Sequence, residues 1–203
     1  MIKNPIPKVS NKIQFRAIGI VFGMYNPISP DILHKGTIKD SQGFIIDAVV
    51  LGKTLSLIKK FINFEKNYYW IVYPRNKNSN NLHLQVAGIW DPNNFGVNNE
   101  KTIEKTDEIL QSLDLKDNFF SIRGKLIFIN TLQKELVIKI FSSKSSKYSK
   151  NKSFKVSLKG IIPMKFINSF VSLEATRKEN TLFMDDFEII DATNSSDIEK
   201  SSI

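Results

Sequence analysis

Apolar positions along this chain fall mostly into short β-branched and aromatic runs, and a clear helical stripe is rare. QFRAIGIVFGMY, starting at Gln14, takes no 3.6-residue stripe and predicts one long strand. Pro27, Pro30 and Asp31 mark a loop, and KGTIKDSQGFIIDAVVLG reads as two strands around a turn at Asp40 to Gly43. TLSLIKKFINFEKN then places Leu55, Ile58, Phe61 and Ile62 at helical spacing, with Thr54 or Ser56 available as a cap. YYWIVYPR and LHLQVAGIW follow, joined by NKNSNN, a hairpin-loop composition. Three strands, a helix and two strands is the order of an OB barrel.

Residues 93–118 are polar and acidic, with at most a short helix near Ile103 to Leu113, and read as a linker. The pattern then restarts. FFSIRGKLIFIN, ELVIKIFSS and FKVSLKGII are strands, MKFINSF takes the helix position, and VSLEATR and TLFMDDFEIID close the set. Phe15 to Gly19 has the spacing of Phe120 to Gly124, and in the closing hairpins Arg75, Leu82 and Asp91 align with Arg177, Leu182 and Asp191. This order suggests an internal duplication. The expected fold is mainly β: two tandem OB-like small β-barrels, residues 10–92 and 119–192, each with a short helix. The polar linker 93–118 joins them, and a disordered tail, 193–203, follows.

Composition narrows the chemistry. The absence of cysteine excludes disulfides, cysteine nucleophiles and thiolate metal sites. No apolar run reaches the roughly 20 residues of a spanning helix, and the N-terminus carries no secretory pattern, so a cytoplasmic protein without membrane contact is expected. The net charge of +9 favours a polyanionic partner. That charge is uneven: eight lysines and no acid lie between Glu135 and Glu174, whereas residues 174–203 hold eight acids against three bases.

The segments QFRAIGIVFGMY, KGTIKDSQGFIIDAVVLGKTLSLIKK, WIVYPR and LHLQVAGIWDP resemble those of a cyanobacterial family of conserved proteins of unknown function. The resemblance extends through SIRGKLIF, FKVSLKGIIP and the closing strands. It implies a lineage, and brings no activity, cofactor or catalytic residue with it.

Basic and aromatic residues interleave on the predicted strands of the first half, a mixture with which OB barrels bind single strands: aromatics stack bases while Lys and Arg neutralise phosphates. Arg16, Tyr25, Lys39, Tyr73, Arg75 and Lys77 are the candidates there, drawn from a set that also includes Phe22, Tyr69 and Trp90. Tyr25, Tyr73 and Arg75 stand out because each sits where a strand runs into a Pro-containing turn. In the second half SSKSSKYSKNKSFK has no apolar core positions and offers Lys144, Lys147, Lys150, Lys152 and Lys155, with Tyr148, to a phosphate backbone. A solubilising hairpin tip is the plain alternative.

His34 and His83 lack a second ligand at useful spacing. Alternation would send Asp185 and Asp186 to opposite faces, which argues against a paired-carboxylate site. GKTLS at Gly52 to Ser56 lacks the earlier glycine of a phosphate loop. No catalytic residue, metal or cofactor is therefore expected. The chain predicts a non-catalytic binder of single-stranded RNA or DNA; the alternative is an adaptor that docks a protein partner in a larger complex.

Overall fold

The computed structural model describes residues 4–76, 81–91, 108–113, 115–141 and 153–190. The first half forms β1 (Arg16–Ser29), β2 (Ile32–Asp40), β3 (Ile45–Val50), helix α1 (Gly52–Phe61), β4 (Tyr68–Asn76) and β5 (Leu82–Trp90). The second forms β6 (Phe119–Asn130), β7 (Glu135–Phe141), β8 (Ser153–Lys159), β9 (Phe170–Lys178) and β10 (Thr181–Ile190). Each set closes into a five-strand ring, β1–β2–β3–β5–β4 and β6–β7–β8–β10–β9. Both are OB barrels with the same strand order. Ile138 and Ile140 of β7 show the alternation behind them: each is buried, while Val137, Lys139 and Phe141 between and beside them are half-buried on the outer face.

Helices depart from expectation in two ways. Leu51, with no side-chain cap, precedes α1, and Thr54 is buried inside the first turn instead of capping it. Ile58 faces the core, whereas Phe61 is exposed. In the second barrel a single 3-10 turn, Met164–Phe166, stands where the first has α1.

The barrels are fused. β1 is long enough to pair with three strands: Arg16 to Gly19 run antiparallel to Arg123 to Phe120 of β6, Gly19 to Gly23 pair with β4, and the rest bends onto β2. One ten-stranded sheet therefore passes through both rings. The buried side chains of the two barrels form one cluster, from Tyr25 and Trp70 to Leu126 and Leu173.

Gly19 sits opposite Phe120 in this pairing, and a Cβ on it would overlap the Phe120 ring. The two residues are partners across the seam, which corrects the alignment of Gly19 with Gly124. Gly23 is the true counterpart of Gly124: a Cβ on Gly23 would strike the Lys39 carbonyl and Ile38, and one on Gly124 the Lys139 carbonyl and Ile138.

An ion pair locks the seam. Arg177 Nη2 of β9 donates to Asp40 Oδ2 at the end of β2, 2.6 Å away, and both side chains are almost fully buried. The remaining valences are met, as burial of charge requires. Asp40 Oδ1 accepts the backbone N–H of Gln42 and of Phe44, shaping the turn foreseen at Asp40 to Gly43. Arg177 also donates from Nε to Asn118 Oδ1 and from Nη1 to the Glu179 carbonyl. Asn118 and Glu179 both adopt positive φ, 62° and 53°, so the arginine is gripped by two left-handed residues. Next to them Asp117 Oδ1 accepts the Phe22 N–H at 2.7 Å, and burial raises its pKa.

Asp40→Ala leaves Arg177 buried and unpaired and is expected to cost about 3–5 kcal/mol by urea denaturation, whereas the double change Asp40→Leu with Arg177→Met costs far less. Equal losses in the two variants would contradict the ion-pair account.

Candidate nucleic-acid interface

Much of the first barrel's outer face is covered. Ile20, Phe22, Tyr69, Ile71 and Trp90 point outward from β1, β4 and β5, but they pack against Ile6 of the N-terminal segment and against Leu110 and Leu115 just before β6. Residues 108–112 are helical, so the end of the predicted linker is a cover for this face. Beneath it Tyr69 packs against Phe22 in a tilted pair and against Trp90 edge-on, with ring centroids 4.6 and 5.9 Å apart.

Tyr25 is corrected outright. It is 1% exposed in the barrel interior, its hydroxyl donates to the Leu33 carbonyl, and burial pushes its pKa up to about 12. The strand alternates side chains by position, and Tyr25 falls on the inward set with Val21 and Ala17. Arg16 belongs to the seam: its Nε and Nη2 donate to Ser121 Oγ and its Nη1 to the Pro7 carbonyl. Lys39 is exposed on β2, opposite Met24 and Ile45.

Tyr73 and Arg75 are placed at the junction of the barrels. The Arg75 guanidinium lies 3.6 Å from the ring centroid of Phe154 on β8 and 5.9 Å from that of Tyr73. Burial lowers the arginine's pKa without removing its charge. The next residue, Asn76, accepts the Ser157 N–H of β8 with Oδ1, 3.1 Å away. The tip of β4 is thus anchored on β8 of the second barrel, at Phe154 and Ser157. Lys77, Lys144, Lys147, Tyr148, Lys150 and Lys152 lie outside the described residues.

A feature invisible in the linear sequence appears on the second barrel. Lys125 of β6 stands directly opposite Lys139 of β7, which stands opposite Lys155 of β8. All three occupy the outer set of their strands, between core residues such as Leu126, Ile138 and Val156. Lys139 Nζ rides 4.9 Å from the Phe141 ring. No carboxylate among the described residues pairs with any of the three. Facing like charges cost stability, so the row is a local concentration of unneutralised positive charge. Each lysine does occupy an outward position in its own predicted strand, but only the register shows that they align.

On the far side of this barrel Glu174, Asp185, Asp186 and Glu188 are all solvent-accessible. A bulge between Met184 and Asp186 breaks the alternation, which is why Asp185 and Asp186 are both exposed and not on opposite faces. Asp185 accepts from Thr176 Oγ1 and pairs with Lys116 at 3.5 Å. The barrel is electrically polar, basic on β6–β7–β8 and acidic on β9–β10.

The family comparisons follow the two barrels. Residues 17–97 match the model described as the N-terminal OB-fold domain of the PatR RNA-binding protein, and residues 122–191 match a C-terminal cyanobacterial OB-fold-like RNA-binding domain. No curated protein sequence matches the chain. Among solved structures, a deletion mutant of the single-stranded DNA binding protein from Thermus aquaticus aligns with 85% of this chain and 93% of its own, at 8% identity and a TM-score of 0.39. No helix of the described residues is long and apolar enough to cross a membrane.

Replacing the middle lysine tests the row without any ligand. Lys139→Thr is expected to raise stability by about 0.2–1 kcal/mol at low salt, with the gain fading as salt screens the two remaining charges. A destabilised variant, or a gain indifferent to salt, would contradict the repulsion.

Proposed function

The chain belongs to a cyanobacterial family of tandem OB-fold nucleic-acid-binding proteins, and from that premise we propose that it binds single-stranded RNA without catalysing a reaction, as a cytoplasmic protein. The observation that carries the reading is the row Lys125, Lys139 and Lys155, three facing cations on the outer surface of the three-stranded meander β6–β7–β8. Phosphates lie on that row, and Phe141 offers an aromatic face beside it for a base. Tyr73 and Arg75 extend the path onto the first barrel. Lys77, Lys144, Lys147, Tyr148, Lys150 and Lys152, which lie outside the described residues, add further phosphate and base contacts. Lys39 supplies a more distant phosphate contact.

RNA is favoured over DNA because both matching domain models describe RNA-binding domains. A phosphate path of this kind is read through its salt dependence. For single strands the slope of log affinity against log salt is about −0.7 per neutralised phosphate. Fluorescence anisotropy with a mixed-sequence RNA of about ten nucleotides, between about 50 and 200 mM salt, gives that slope. Changing Lys125, Lys139 and Lys155 together to Gln is expected to weaken binding and flatten the slope by about 2. A protein that fails to bind even at the lower salt refutes the reading, and a triple variant with an unchanged slope refutes the site. Equal affinity for the matching DNA removes the preference for RNA.

A further inference from the structure

We infer that the cavity where the two barrels meet reads a base, and that its walls select guanine; the inference rests on the single-stranded RNA reading above. The cavity holds about 240 Å³, several times the ~30 Å³ share of a water molecule. It opens where the second ring is held least: β8 and β10 share one parallel pair, Phe183 with Lys159. Asn76 of the first barrel, Glu135 of β7, Ser157 and Lys159 of β8, the turn residue Asn180 and Thr181 at the start of β10 surround it. Neither barrel makes this site alone.

The wall chemistry is specific. Glu135 faces Lys159 across the β7–β8 pair, yet Lys159 Nζ donates to the Gln133 carbonyl at 3.2 Å. Glu135 is left with no ion-pair partner among the described residues. Asn76 uses its Oδ1 on the Ser157 N–H, and its amide nitrogen has no partner among the described residues. The site therefore offers a carboxylate, which only accepts, beside an amide N–H donor. Guanine presents two adjacent N–H donors, at N1 and N2, next to the O6 acceptor. Uracil has a single donor between two acceptors, and adenine and cytosine set a ring lone pair beside their amino group. A carboxylate that engages the base edge with both oxygens sets one of them against a lone pair in each of those three, whereas guanine meets both oxygens with N1–H and N2–H and takes the amide N–H on O6.

The cavity is also in line with the phosphate path. Glu135 and Lys139 belong to the same outer set of β7, four residues or about 13 Å apart. On this outer face only the Val137 and Ser157 pair lies between the Lys139–Lys155 pair and the Glu135–Lys159 pair. An extended strand with its phosphates on the lysines reaches the cavity in one short step, and single-stranded bases are commonly read on their Watson–Crick edges.

Three fluorescent probes separate the alternatives: an oligouridine of about eight nucleotides, the same strand with one central guanosine, and the same strand with inosine, which lacks the 2-amino group. Guanosine is expected to tighten binding by roughly 5- to 150-fold over uridine at that position, and inosine to lose most of the gain. Glu135→Gln is expected to abolish the preference while binding oligouridine as the unaltered protein does, which also reports that it is folded. Oligouridine binding with no gain from guanosine overturns the inference and leaves the RNA reading intact. A Glu135→Gln protein that keeps the preference, or that loses oligouridine binding along with it, overturns the assignment to this carboxylate. If none of the three strands binds, the RNA reading itself fails and the inference falls with it.

Discussion

Four residues of backbone pairing between β1 and β6 set the layout of the whole molecule. Arg16 to Gly19 lie against Phe120 to Arg123, so a strand of each closed ring also pairs with a strand of the other. That pairing demands a side chain small enough to pass the Phe120 ring, and Gly19 provides it. It also brings the end of β2 to the end of β9, where Asp40 and Arg177 meet out of water. A buried pair of this kind is a costly way to gain stability. Its value here is positional, since Arg177 also holds Asn118 and the Glu179 carbonyl, the residues that flank β6 and lead into β10.

The same arrangement decides which surfaces remain for a ligand. The N-terminal segment and the stretch before β6 must cross the outside of the first barrel, and in doing so they cover β1, β4 and β5 with Ile6, Leu110 and Leu115. The aromatic face that a free OB barrel would present is thereby closed. On the second barrel the outer face of β6, β7 and β8 keeps its lysine row, and the tip of β4 comes to rest beside it through Arg75 and Asn76. In the proposed function contact chemistry is shared across the seam: the first barrel would contribute Tyr73, Arg75 and Asn76, and the second the lysine row.

Strand order and the OB character of both halves were legible because alternation and turn residues are local signals, as with the turn at Asp40 to Gly43. Pairing register is not local. Lys125, Lys139 and Lys155 sit in three separate strands, and nothing in the linear sequence announces that they align. Tyr25 was misjudged because a strand's inward set cannot be told from its outward set until the barrel closes, and Arg16 because its partner Ser121 is 105 residues away. The spacing shared by Phe15 to Gly19 and Phe120 to Gly124 misled for a related reason: two close-approach glycines lie in β1, and the one equivalent to Gly124 is Gly23.

If the seam makes one folding unit of two barrels, damage to either must be felt in both. Both tryptophans, Trp70 and Trp90, belong to the first barrel, whereas Leu173 is fully buried in the second. Leu173→Ala should cost about 2–5 kcal/mol. In a urea titration followed by tryptophan fluorescence and by far-UV circular dichroism, the two midpoints should coincide and fall together in the variant. A fluorescence transition that stays at its original midpoint while the dichroism curve splits would show two independent barrels and contradict the account.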